Sequence, residues 1–287
     1  MKTAKRMLAP TLWMLVVSAA CGTCDAAQPQ ETAKEHFNRA AELAQKRDLD
    51  GAIAEYGAAV HLRPDYVEAH YFLANALYDR GDVEDAITEY HATLRLNPDY
   101  ADTHYRLGIA LHANGDVDGA IAEYRAALSA NPHFAPGHNN LGQALEDKGD
   151  AEAAIGEYRA ALREQPDFAE ARYSLGLALY ARGDLVGAIA EYRAALRIKP
   201  NIADLHYNLG KALDAHGNLD GAIAEYRAAL RLNPNDANKH LALGTALEAR
   251  GKLHEALDEY SIANMADPGL EAAKTKHDAL AGRLRLK

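Results

Sequence analysis

The chain has 287 residues, 48% of them hydrophobic, which excludes a disordered chain and leaves room for a large core or two ordinary domains. A formal charge of −10 argues against nucleic acid as a partner, because cations neutralising phosphates dominate that binding. The two cysteines, Cys21 and Cys24, both fall near the start, so no disulfide framework organises the rest.

Residues 1–26 stand apart. Lys2, Lys5 and Arg6 make a basic start, Met7 to Ala20 is an apolar run, and small residues follow. This is the pattern of a secretory signal peptide. The run is shorter than the ~20 residues of a spanning helix, and Pro10 interrupts it. Three fates stay open. Cleavage after Ala26 would remove both cysteines. Lipid attachment at Cys21 would follow from Ser18-Ala19-Ala20-Cys21, which resembles a bacterial lipobox with Ser18 in the usual leucine place. A retained anchor, or a cut after Ala20, is the third. The expected location is the periplasm or cell envelope, with secretion as a variant and Cys21 or an uncleaved signal as the means of membrane attachment. Residues 27–32 read as a short linker.

From there one period governs the chain. Prolines fall at 64, 98, 132, 166, 200, 234 and 268, every interval being 34. Leu43, Ala52 and Tyr56 each recur at the same interval through Leu247, Ala256 and Tyr260. Gly108, Gly142, Gly176, Gly210 and Gly244 share a further place, which Ala40 and Ala74 fill earlier. The units are 33–66, 67–100, 101–134, 135–168, 169–202, 203–236 and 237–270. Positions below are counted from the first residue of each unit.

Within a unit, apolar positions 4, 7, 8 and 11 make one stripe at helical spacing, and 20, 24, 27 and 28 make another. A breaker such as Arg182-Gly183-Asp184 lies between them. Its glycine suits a left-handed cap on the first helix, and its aspartate caps the second. Proline at position 32 ends the second helix. Each unit is thus a helical hairpin that buries its stripes only by stacking on neighbours. In the phrase GAIAEYRAALRLNP at 221–234, Ala222, Ile223, Tyr226, Ala229 and Leu230 read as packing. Glu225 and Arg227 read as residues facing outward or sideways that mainly keep the helix soluble. After Gly269, residues 271–287 lose the register and read as a basic capping helix with a solvated face, contact with an acidic partner or a lipid surface being the functional alternative.

The spacing, the small residue at 8, leucine at 11, alanines at 20 and 27, aromatic at 24 and proline at 32 closely resemble the tetratricopeptide repeat (TPR) family. The resemblance covers residues 33–270. It implies an all-α fold, a right-handed α-solenoid superhelix of seven hairpins with a C-terminal capping helix.

Little in the sequence suggests catalysis. Ser129, Ser174 and Ser261 lie in no nucleophile elbow, and neither Gly210-Lys211 nor Gly251-Lys252 continues into a phosphate loop. No cofactor or metal motif is present. Six histidines (His36, His70, His104, His138, His206 and His240) occupy position 4, with Arg172 there in the fifth unit. Packed helices lie ~8–10 Å apart, too far for one ion to bridge these repeats easily, so the histidines read as partly buried packing residues.

The resemblance implies a partner groove on the concave face of the first helices. At about 100° per residue, positions 2, 5, 9 and 12 lie away from the core stripe. The candidate groove residues are Phe37, Tyr71, Asn75, Tyr78, Tyr105, His112, Asn139, Gln143, Tyr173, Tyr180, Tyr207 and Lys211. The face is tyrosine-rich and acidic, which suits a basic and apolar segment. A position-5 tyrosine padding the neighbouring repeat is the structural alternative. The family's carboxylate clamp needs lysine at position 5, absent here, and its asparagine ladder at position 6 is broken after Asn38, Asn140 and Asn208. The expected function is a non-enzymatic scaffold binding a protein or peptide, in assembly of an envelope complex. A targeting subunit of an enzyme system and a self-assembling structural scaffold are the alternatives.

Overall fold

The structure is a computed structural model that describes residues 32–285. The predicted leader with Cys21, and residues 286–287, lie outside the described residues. Among the described residues there are fifteen helices and no strand. The first helices of the hairpins are α1 (Ala33–Gln45), α3 (Val67–Arg80), α5 (Ala101–Ala113), α7 (Ala135–Asp147), α9 (Ala169–Ala181), α11 (Ala203–Ala215) and α13 (Ala237–Ala249). The second helices are α2 (Leu49–Leu62), α4 (Val83–Leu96), α6 (Val117–Ala130), α8 (Ala151–Glu164), α10 (Leu185–Ile198), α12 (Leu219–Leu232) and α14 (Leu253–Ala266). The last helix, α15, is Glu271–Arg285.

Local chemistry explains these bounds. Gly115, Gly149, Gly183, Gly217 and Gly251 follow the first helices at φ between 82° and 88°, a left-handed turn that glycine adopts without Cβ crowding. The side chains of Asp48, Asp116, Asp150, Asp184 and Asn218 then accept from the third backbone N–H of the next helix. Asp82 does not cap in this way and meets Arg80 instead.

The two stripes close on a column of rings. Tyr90, Tyr124, Tyr158, Tyr192, Tyr226 and Tyr260 are fully buried at position 24. Each of the last five lies against the position-8 glycine of its own hairpin, where a Cβ would stand only 2.5–2.7 Å from the ring. That close approach lets the two helices of a hairpin pack tightly. Three of the ring hydroxyls find acceptors: Tyr90 donates to Asn75 at 2.7 Å, Tyr158 to Glu146 at 2.9 Å and Tyr260 to Glu248 at 2.8 Å.

The position-4 histidines do more than pack. His70, His104, His138, His206 and His240 each place Nδ1 2.6 Å from a glutamate at position 23. Each also places Nε2 2.8–3.0 Å from the carbonyl of the preceding unit's proline. Arg172 makes the same two connections, to Glu191 and to the Pro166 carbonyl. One side chain therefore ties both helices of a hairpin to the preceding loop. This corrects the reading of Glu225 as a solubilising residue, since it is partly buried on His206. Arg227 is exposed but paired, with Glu255 at 2.6 Å. The physical reason is that one helix's period shows which face a residue takes, not which group of another helix meets it.

Beyond consecutive helices, the stronger contacts join first helices only, from α3 to α5 and on to α11 to α13. First helices thus lie closer together than second helices, and the stack curves towards them. Helix α15 packs on α14 and buries Ala273 and Leu280. Its Lys276 and Arg283 pair with Glu248 of α13, so part of the basic tail is tied down rather than solvated.

Candidate partner-binding groove

The concave side is walled by position-5 rings, and the last residue of the same unit covers part of several of them. Phe37 lies 5.1 Å from Tyr66, Tyr71 stacks on Tyr100 at 5.2 Å, and Tyr105 meets Phe134 edge-on at 4.8 Å. Tyr71 and Asn139 are buried, while Phe37, Tyr105, Tyr173 and Tyr207 are partly exposed. Position 5 therefore builds the wall as much as it offers contacts.

Position 6 of the following unit completes it. Asn140 donates to the Tyr105 hydroxyl at 3.1 Å, and Asn208 donates to the Tyr173 hydroxyl at 2.8 Å. Phe72 instead packs edge-on against Phe37 at 5.8 Å. Asn140 and Asn208 thus each meet a tyrosine hydroxyl of the preceding unit and Phe72 a phenylalanine, whereas Arg106 and Ala242 follow Tyr71 and Tyr207.

Two clefts open between units on this side. One, of about 380 Å³, brings together Tyr78, His112 and Gln143 with Ile109, Ala113, Tyr124 and Asn140. Three successive units thus contribute side chains to one opening. His112 Nε2 also meets Asp147 at 2.7 Å, fixing the ring between units. A second cleft, of about 260 Å³, is lined by Asn75 and Tyr78 with Phe72, Asp79, Tyr90 and Arg106. Sequence reasoning missed Phe72, Arg106 and Asn140. The variability of position 6 was visible, but it carries meaning only against the ring that precedes it.

Towards the C-terminal end the aromatic pad thins. Ile202 stands where earlier units have Tyr66, Tyr100, Phe134 and Phe168. A cleft of about 160 Å³ opens there beside Tyr173, lined by Ala169, Leu205, Asp204 and the Glu170–Lys199 pair. Lys211 lies 5.4 Å from the Tyr180 ring centroid and 5.8 Å from that of Tyr207, within cation–π range. Lys239, only 5% exposed, pairs with Asp204 at 2.9 Å and Asp236 at 2.6 Å. Burial opposes its charge, but the two carboxylates prevail and hold its ammonium above the usual range. Burial likewise pushes the Asp214 carboxyl up.

Glu68, Asp79, Asp102 and Asp214 belong to this side and meet no cationic side chain among the described residues. The groove therefore combines aromatic walls with excess negative charge. Among the described residues no three His, Cys, Asp or Glu side chains converge to hold a metal ion.

Family models described as tetratricopeptide repeat match residues 37–90, 73–133 and 139–201, and one described as TPR repeat matches 215–251. No curated relative matches the chain. Among solved structures, MamA is 28% identical with a TM-score of 0.55, over 56% of this chain and 95% of that one. A tetratricopeptide repeat protein from Parabacteroides merdae is 15% identical with a TM-score of 0.63, over 87% of this chain and 98% of that one. The C-terminal part of a TPR repeat-containing protein from Cytophaga hutchinsonii is 19% identical with a TM-score of 0.69, over 84% and 98%.

Proposed function

As a chain that belongs to the tetratricopeptide repeat family, the protein is, we propose, a non-enzymatic scaffold that holds a basic and apolar segment of a protein partner in its concave groove. The observation that carries this reading is the cleft of Tyr78, His112 and Gln143, built from three consecutive units on the side that also holds Glu68, Asp79, Asp102 and Asp214, unpaired among the described residues. Tyrosine supplies a broad rigid contact with a polar tip, and unpaired acids favour lysine or arginine in what they receive. The leader pattern of residues 1–26 supports a site of action in the periplasm or at the cell envelope, in assembly of an envelope complex.

Peptides selected on the intact protein from a random display library test the groove. The expected winners carry lysine or arginine beside leucine or aromatic residues. Their affinity should fall at least about tenfold, or 1.4 kcal/mol, in a Tyr78→Ala/Gln143→Ala variant whose circular dichroism is unchanged. Selection of acidic peptides, or equal binding by the variant, would overturn the reading. Cell fractionation tests the location, and a cytoplasmic pool alone would contradict it.

A further inference from the structure

The side opposite the groove carries charge of the other sign. Positions 18, 22, 25 and 29 of each second helix share one face. In α6, α8, α10 and α12, position 22 is Ala122, Gly156, Ala190 or Ala224, all exposed, so this face looks outward on the convex side. Arg125, Arg159, Arg163, Arg193, Arg197 and Arg231 stand exposed along it at positions 25 and 29.

The carboxylates of the same four helices are already engaged. Asp118 meets Lys148 at 2.6 Å, Glu152 meets Arg182, and Asp220 meets Arg250 at 2.8 Å. These pairs link the first turn of one second helix to the end of the next unit's first helix. Glu123, Glu157 and Glu225 turn inward to His104, His138 and His206, and Glu191 to Arg172. Glu164 meets His133 at 2.9 Å. The six arginines meet no carboxylate among the described residues. A favourable helix dipole accounts for arginine in a last turn, at position 29, but not a turn earlier at position 25.

Apolar side chains lie among them. In the fifth unit the ladder of ion pairs is broken, because Val186 replaces the acid at position 18 and His216 faces it. Val186 is 66% exposed, at the mouth of a cleft of about 370 Å³ lined by Ile189, Arg193 and Leu213. Ile198 and Leu232, also exposed, follow Arg197 and Arg231 at the helix ends, about 100° round from the arginine face.

We propose that this convex arginine stripe docks the protein on an anionic phospholipid surface. Arginines in a row match a plane of phosphates, and juxtamembrane cations gain about 1 kcal/mol each near such a surface. Exposed Val186, on the same face, suits the boundary between headgroups and acyl chains, as apolar residues beside basic ones do in peripheral proteins. A single-stranded nucleic acid is the poorer match, since no aromatic side chain occupies positions 22, 25 or 29 of these helices for bases to stack on. With the groove on the opposite side, docking leaves the concave face open.

Vesicle co-sedimentation of the full chain tests the stripe. Phosphatidylcholine vesicles are compared with phosphatidylcholine–phosphatidylglycerol vesicles at about three to one and low salt, so that the leader's own apolar affinity appears in both. The wild type should favour the anionic vesicles. Arg159→Gln/Arg163→Gln/Arg193→Gln/Arg197→Gln should lose that preference by about tenfold or more. Lys34→Gln/Lys46→Gln/Lys274→Gln/Arg285→Gln changes the net charge equally and should keep it. No anionic preference in the wild type, or equal losses in the two variants, would overturn the proposal. Tighter binding to duplex DNA than to vesicles of equal phosphate would also overturn it, in favour of a nucleic acid.

Discussion

Arg47 is the only residue other than glycine with a left-handed backbone among the described residues, at φ 62°. Later units place glycine there, at Gly81, Gly115, Gly149, Gly183, Gly217 and Gly251. A Cβ in that conformation crowds the following carbonyl at a cost of roughly 1–2 kcal/mol, partly offset by the greater freedom glycine loses on folding. Arg47→Gly should therefore stabilise the chain by about 1 kcal/mol, seen as a higher urea midpoint at unchanged slope. A lower midpoint would mean that the Arg47 side chain holds the first hairpin in a way its backbone strain does not reveal. The departure at this position is plain in the sequence. Its consequence is too, because the 34-residue frame assigns the left-handed place before any coordinate is known.

At the scale of the element, the histidine bridges make the sharpest test. The Pro200 carbonyl can only accept, so His206 Nε2 is the donor there, while Nδ1 faces the Glu225 carboxylate. His206→Ala removes a partner from the partly buried Glu225 carboxylate and from the exposed Pro200 carbonyl, and should cost about 1 kcal/mol in chemical denaturation. His206→Arg should cost far less, because Arg172 already makes the equivalent bonds in the unit before. Equal losses for the two substitutions would show that ring packing, not the pair of hydrogen bonds, matters. These bridges also mark where reading the sequence stops. Helix bounds were legible, since caps, breakers and apolar stripes are local and repeat seven times. The groove was legible only as a face. Whether Tyr71 is covered depends on Tyr100 at the end of its own unit, and whether Tyr105 keeps a free hydroxyl depends on Asn140 in the next. Such pairings join particular side chains within a unit or across to the next, and a period found by aligning units averages them away.

For the whole molecule, contacts run between neighbouring helices along the stack, so stability is close to a sum over hairpins and their junctions. The tyrosine column is the part common to all of them. Burial pushes the hydroxyls of Tyr90, Tyr124, Tyr158, Tyr192 and Tyr226 well above the ordinary tyrosine range, and that of Tyr260 to about 12. The folded chain thus keeps these protons at a pH where the unfolded chain, with tyrosines near 10, releases them. More protons bound in the folded state means that stability falls as pH rises. The full contribution is present below about pH 10, and each retained proton costs roughly 1.4 kcal/mol per pH unit above it. With one such group in nearly every hairpin, no part of the stack escapes the penalty, and alkaline unfolding should be steep and should span the whole solenoid. Near-ultraviolet tyrosinate absorbance, followed together with far-ultraviolet circular dichroism, should show the column ionising only as helix is lost. Ionisation of all six rings with the helical signal intact would mean that the column is open to water, and that the close contact of each ring with its position-8 neighbour does not hold the hairpins together.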